Sequence, residues 1–128
     1  MTKKLNDPIM LIMMLVEMRL KEMHGYTLCF HNLLNMNGKR VTAIEHFDPT
    51  LGAKSYNDVR AVDIHGGPNE KLGLVFLDNA ADALSGDVRG VGYVRDENQT
   101  DQDLYVEMAE DAYKWLINGI HPDIPLLH

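Results

Sequence analysis

The sequence predicts an α+β domain in the order α-β-β-β-β-β-α, an antiparallel sheet carrying two long helices mainly on one face. Three observations predict it. An apolar run with a helical start signal stands early, short alternating runs separated by turn residues fill the middle, and a second amphipathic pattern stands late. At 128 residues the chain fits one domain, 1–128, with 1–6 and 121–128 read as extended ends.

The first helix is expected from residue 8 to 23. Asp7 is placed to cap it, Pro8 suits its first position, Glu17 and Lys21 pair one turn apart, and Gly25 stops it. Its opening run PIMLIMMLV carries more apolar surface than one core face requires. On a helical wheel Ile9, Ile12, Met13, Val16, Leu20 and Met23 share one stripe, whereas Met10 and Met14 lie on the stripe continued by Glu17 and Lys21. Methionine is flexible and polarizable, which suits adaptable docking, so Met10, Met14 and Met18 are candidate partner-contact residues. The competing reading buries them under another layer of the same chain.

Asn37-Gly38 is the clearest hairpin signal, because a two-residue turn of this type demands positive φ. Taken as the loop, it joins strands near 26–35 and 40–48 and pairs Met36 with Lys39, Leu34 with Val41, Asn32 with Ala43, Phe30 with Glu45 and Leu28 with Phe47. Thr27, Cys29, His31 and Leu33 then share the opposite face with Arg40, Thr42, Ile44, His46 and Asp48. A third strand is expected over 59–65, a turn at 66–69, and a fourth strand over 72–77, which reads as continuously apolar and therefore interior. One helical turn within 79–86 precedes a fifth strand over 88–95, where Gly90 and Gly92 point to a bulge or a close approach. Thr100, with Asp103 three residues on, opens the second helix. Leu104, Met108, Ala112, Trp115 and Leu116 form its stripe, and Gly119 closes it.

In the expected register Cys29 opposes His46, Thr27 opposes Asp48, and His31 lies diagonal to His46. A thiol beside an imidazole oriented by a carboxylate is the grammar of nucleophilic catalysis, and the same group offers sulfur, nitrogen and oxygen ligands to Zn²⁺. Cys29, His31, His46 and Asp48 are therefore candidate ligand-binding residues, against an ordinary mixed sheet face with an inert cysteine. Arg60 and Arg89 occupy equivalent places in Asp58-Val59-Arg60-Ala61-Val62 and Asp87-Val88-Arg89-Gly90-Val91, and together are candidates to hold an anion. Glu45, placed opposite Phe30 on a mostly apolar face, needs a partner there. No pattern names a cofactor or a catalytic residue, and neither is expected.

The net charge of −7 excludes sequence-independent binding of nucleic-acid phosphate, which depends on clustered Lys and Arg. The early apolar run is shorter than the ~20 residues a membrane span needs. It also lacks a small-residue cleavage pattern, so no signal peptide is read. The single cysteine, Cys29, gives no internal disulfide and no reason to leave the cytoplasm. The face bearing Ile44, Val62 and Ile64 among polar side chains is expected to pair subunits in a homo-oligomer. In size, acidity and element order the chain resembles class I type III secretion chaperones, small dimeric α/β proteins that hold partner segments. It departs from them in having no clear helix between the third and fourth strands. The expected function is non-catalytic binding of another protein, as an inhibitor, immunity protein, chaperone or adaptor performs it, with a phage or mobile-element origin within that class. The alternative is a small-ligand or nucleotide-binding protein, with or without enzymatic activity, that uses the polar sheet face.

Overall fold

The computed structural model describes residues 7–34, 36, 38, 40–47, 60–67, 70–84 and 90–122. Asp48, Arg89 and Asn37 lie outside the described residues, as do the ends 1–6 and 123–128. Helix α1, Pro8–His24, is followed by strands β1 (Thr27–Leu34), β2 (Arg40–Phe47), β3 (Ala61–Gly67), β4 (Glu70–Leu77) and β5 (Gly90–Tyr93), then helix α2, Asp101–Asn118. The strands form one antiparallel sheet in sequential order, so the fold is the expected α+β domain with both helices on one face. No helix among the described residues is long and apolar enough to cross a membrane.

Both helices are bounded by the chemistry their sequences carry. The Asp7 carboxylate accepts from the Ile9 N–H at 3.0 Å, Pro8 follows, and Gly25 turns left-handed at φ 74° while its N–H donates to the Lys21 carbonyl. Thr100 and Asp103 form a reciprocal capping box, each side chain accepting from the other's backbone N–H at 3.0 Å. Gly119, at φ 68°, closes α2. The helices run parallel: Leu11 and Leu15 face Tyr105, Arg19 pairs with Glu110 at 2.8 Å, and His24 meets the Tyr113 hydroxyl at 2.8 Å.

The core lies between the helices and one sheet face. Ile12, Val16 and Leu20 of α1 and Leu104, Met108 and Leu116 of α2 pack on Ile44, Val62, Ile64, Leu74, Phe76 and Tyr93. Each fully buried aliphatic side chain contributes about 1.5–3 kcal/mol relative to exposure. Ile44, Val62 and Ile64 are therefore core residues, and the expectation that their face pairs subunits is overturned. Met23, expected in the core stripe, is exposed in the last turn of α1, where His24 instead makes the contact with α2.

The hairpin register differs from the expected one by a single residue. Thr27 pairs with Phe47, Cys29 with Glu45, His31 with Ala43 and Leu34 with Arg40, leaving residues 35–39 as the connection in place of a two-residue turn. Gly38, at φ 76°, still supplies the left-handed position. A one-residue slip carries every side chain of one strand to the other face. Ile44 and His46 therefore move to the helix side, and Glu45 moves away from it.

On that other, outer face Ala43, Ala61, Val75 and Leu77 form a second buried cluster. The 3₁₀ turn Ala80–Leu84, the expected single turn, touches β1, β2 and β4, and the Met36 N–H donates to the Leu84 carbonyl at 2.9 Å. Gly73 sits beneath the His65 ring, where an added Cβ would lie 2.8 Å from Cε1. At Gly90 and Gly92, where a close approach is expected, an added Cβ would meet its nearest neighbour only at 3.4 and 3.7 Å. Residues 68–69 alone separate β3 from β4, so no helix intervenes there.

Candidate functional site

The outer sheet face carries a polar cluster at the β1 edge. Alternation along β1 places Cys29 and His31 on the same side, and the cross-strand partner of Cys29 is Glu45. Cys29 Sγ lies 3.8 Å from His31 Nε2, which lies 3.4 Å from Glu45 Oε2, and one ligand atom from each residue falls within 4.8 Å of the others. Cys29 and His31 are half-buried, whereas Glu45 is only 3% exposed and its Oε2 has no hydrogen bond. At 3.4 Å the imidazole contact is an ion-pair distance rather than a well-formed hydrogen bond.

Burial pushes the Glu45 carboxyl above its ordinary value, and His31 partly opposes the rise. Burial likewise raises the Cys29 thiol, and the neighbouring Glu45 charge raises it further. Such a thiol is protonated at neutral pH, unlike an activated nucleophile. The geometry also argues against a relay, in which an imidazole uses one ring nitrogen toward the nucleophile and the other toward the carboxylate. Here a single nitrogen, Nε2, faces both Sγ and Oε2. The three groups converge on a point instead of forming a chain.

Of the other residues singled out by the sequence, His46 stands on the helix side and stacks on Tyr26 with ring centroids 5.1 Å apart. The opposition of His46 to Cys29 is therefore corrected by the register. Arg60 donates from Nε to the Trp115 carbonyl at 2.8 Å and from Nη2 to the Ile117 carbonyl at 2.9 Å. It supplements the cap at the end of α2, where the Trp115 carbonyl also accepts from the Gly119 N–H at 2.9 Å. The Trp115 indole N–H beside it donates to the Ala61 and Leu77 carbonyls at 3.0 and 3.1 Å. Glu45 was assigned by sequence reasoning to the opposite face. The Cys-x-His spacing was visible, but the third member depended on a register the sequence leaves open.

The helix layer presents a second feature on its solvent side. Met10, Met14 and Met18 project at 42%, 53% and 60% exposure from one stripe of α1. Beside them runs a groove of about 450 Å³ lined by Leu11, Met14, Leu15 and Met18 of α1 and by Asp101, Gln102 and Tyr105 of α2. Burial raises the Tyr105 phenol, with Asp101 adding to the rise. The reading in which another layer of the described chain buries these methionines does not hold. No protein-family model, curated protein or solved structure matches the chain. The likeness to secretion chaperones accordingly rests on size, acidity and element order alone.

Proposed function

We propose that the chain is a non-catalytic cytoplasmic protein that acts by binding another protein, with an apolar helix of the partner seated in the α1–α2 groove. One observation carries this reading: three exposed methionines at four-residue spacing stand beside an apolar groove between two helices. Met10 to Met18 spans about 12 Å of helix, enough to meet two turns of a partner helix. Methionine adapts its shape to what it covers, and a contiguous exposed apolar patch costs solubility unless it is used. The net charge of −7 favours a partner with basic flanks around its apolar stripe, and disfavours nucleic acid as a direct ligand.

The test is the double substitution Met10→Glu with Met14→Lys, measured by circular dichroism and by native mass spectrometry of the chain purified from its source cell. The variant is expected to keep its helical signal and to lose a protein that accompanies the unmodified chain, with affinity reduced at least about 30-fold. A folded variant that retains the partner would show the patch to be incidental. A native mass containing two copies of this chain, broken by the same substitutions, would replace the foreign partner with self-association. Loss of ellipticity at ambient temperature would return the methionines to the core.

A further inference from the structure

The structure assigns Cys29 Sγ, His31 Nε2 and Glu45 Oε2 as a three-ligand site for a zinc-class divalent cation at the β1 edge of the outer sheet face. Ordinary zinc bond lengths and a tetrahedral angle place sulfur and nitrogen ligands about 3.6 Å apart, and nitrogen and oxygen ligands about 3.4 Å apart. The distances here are 3.8 and 3.4 Å. Two of the three separations thus stand close to coordinating values, and the third, Sγ to Oε2, lies within 4.8 Å, so a modest side-chain adjustment toward about 3.6 Å completes the set. Glu45 supplies the independent observation: it is only 3% exposed and aimed into the cluster, and among the described residues its Oε2 meets only the 3.4 Å ion-pair contact of His31 and no well-formed hydrogen bond. Such an oxygen costs free energy unless a cation or donor meets it.

The donor set selects the ion. Thiolate, imidazole and carboxylate together suit Zn²⁺, whereas Ca²⁺ and Mg²⁺ require shells of oxygen and Cu(I) favours sulfur. Partial exposure of Cys29 and His31 leaves an entry path and a fourth position for water. Cys29 and His31 come from one strand and Glu45 from the next, so the ion would clip the edge strand β1 to β2. The site shares no residue with the helix groove, and each can fail without the other.

The experiment titrates the full chain, first stripped with a chelator, with Zn²⁺ and then with Co²⁺ as a spectroscopic substitute. One Zn²⁺ per chain is expected, with a thiolate-to-cobalt charge-transfer band and tetrahedral ligand-field bands for the Co²⁺ form. Cys29→Ser should abolish the charge-transfer band. Cys29→Ser, His31→Ala and Glu45→Gln should each weaken Zn²⁺ binding by more than about 10-fold, the loss seen when only an outer partner of a ligand is removed. His46→Gln should leave binding unchanged. Zn²⁺ should also slow labelling of Cys29 by a thiol reagent in the unmodified protein, a readout that requires no variant to fold. The assignment is overturned by the absence of saturable binding, by a Co²⁺ form without the thiolate band, by unprotected Cys29, or by binding lost in His46→Gln and kept in Glu45→Gln.

Discussion

The two faces of the sheet are both buried at their centre, by different means. On the helix side Leu74 and Phe76 meet Ile12, Leu20, Met108 and Leu116, so large side chains from two layers interdigitate. On the outer side burial is reached with Ala43, Ala61, Val75 and Leu77, and a single 3₁₀ turn touches β1, β2 and β4. Small side chains let another segment approach the strand backbone closely. Glu45, on the same face, is 3% exposed although neither α1 nor α2 lies there. An alanine-rich sheet face is thus no sign of solvent.

The largest test of this contrast replaces one leucine on each side of β4. Leu74→Ala, on the helix face, and Leu77→Ala, on the outer face, remove the same atoms from sites exposed 0% and 2%. Leucine truncation costs about 2–5 kcal/mol, depending on how far the site collapses. Urea unfolding should place Leu74→Ala near the upper end and Leu77→Ala near the lower, because two rigid helices collapse less than one 3₁₀ turn. Equal losses would show that both faces are packed alike. A smaller effect is expected from Arg60→Ala, which withdraws two hydrogen bonds from the α2 carbonyls and should cost about 1–3 kcal/mol. If stability is unchanged, water replaces the guanidinium and the end of the helix layer is softer than its centre.

The smallest effect is electrostatic and lies on the helix side, where the Tyr93 hydroxyl donates to Asp111 at 2.6 Å. Burial raises the Asp111 carboxyl above its ordinary value, with Glu107 and Glu110 adding to the rise while the Tyr93 bond and Lys114 oppose it. A raised folded-state pKa means that the native state holds the proton more tightly than the unfolded chain. The associated stability is fully present below the unfolded carboxylate pKa and is lost as pH rises through the folded value. Asp111→Asn should flatten that part of the profile in thermal unfolding between acid and neutral pH. An unchanged slope would assign it to other groups.

Much of this architecture was legible. Both helices and their caps follow from Asp7-Pro8, Gly25, Thr100-x-x-Asp103 and Gly119, since capping chemistry is local and needs no tertiary information. The antiparallel sheet and the order of its strands along the chain were legible from the turn residues. The hairpin register was not. In TLCFHNLL both alternating sets mix apolar and polar side chains, and the structure leaves Phe30 and Leu34 exposed, so burial does not choose between two registers one residue apart. With only the turn to decide, Asn37-Gly38 pointed to a two-residue loop. The polar cluster follows the register: a two-residue loop brings His46 to Cys29 and puts Glu45 on the other face, whereas the observed pairing sets Glu45 opposite Cys29. The wheel aligns Met10 and Met14 with Glu17 and Lys21 and so offers exposure, but it leaves burial under another layer equally open; their exposure is a finding of the structure.

The parallel pairing of α1 with α2 carries a consequence for synthesis. The sheet is a nearest-neighbour meander whose strands find their partners as soon as each emerges, but the apolar stripe of Ile12, Val16 and Leu20 packs against an element that begins at Asp101. At typical elongation rates the intervening residues take roughly 4 to 15 s to make, an interval far longer than helix or hairpin formation. Until α2 is made, the sheet can cover only part of the α1 core stripe, and the side of α1 that meets α2 stays open beside the methionine stripe. How long that side of α1 stays open is therefore set by translation speed between the two helices.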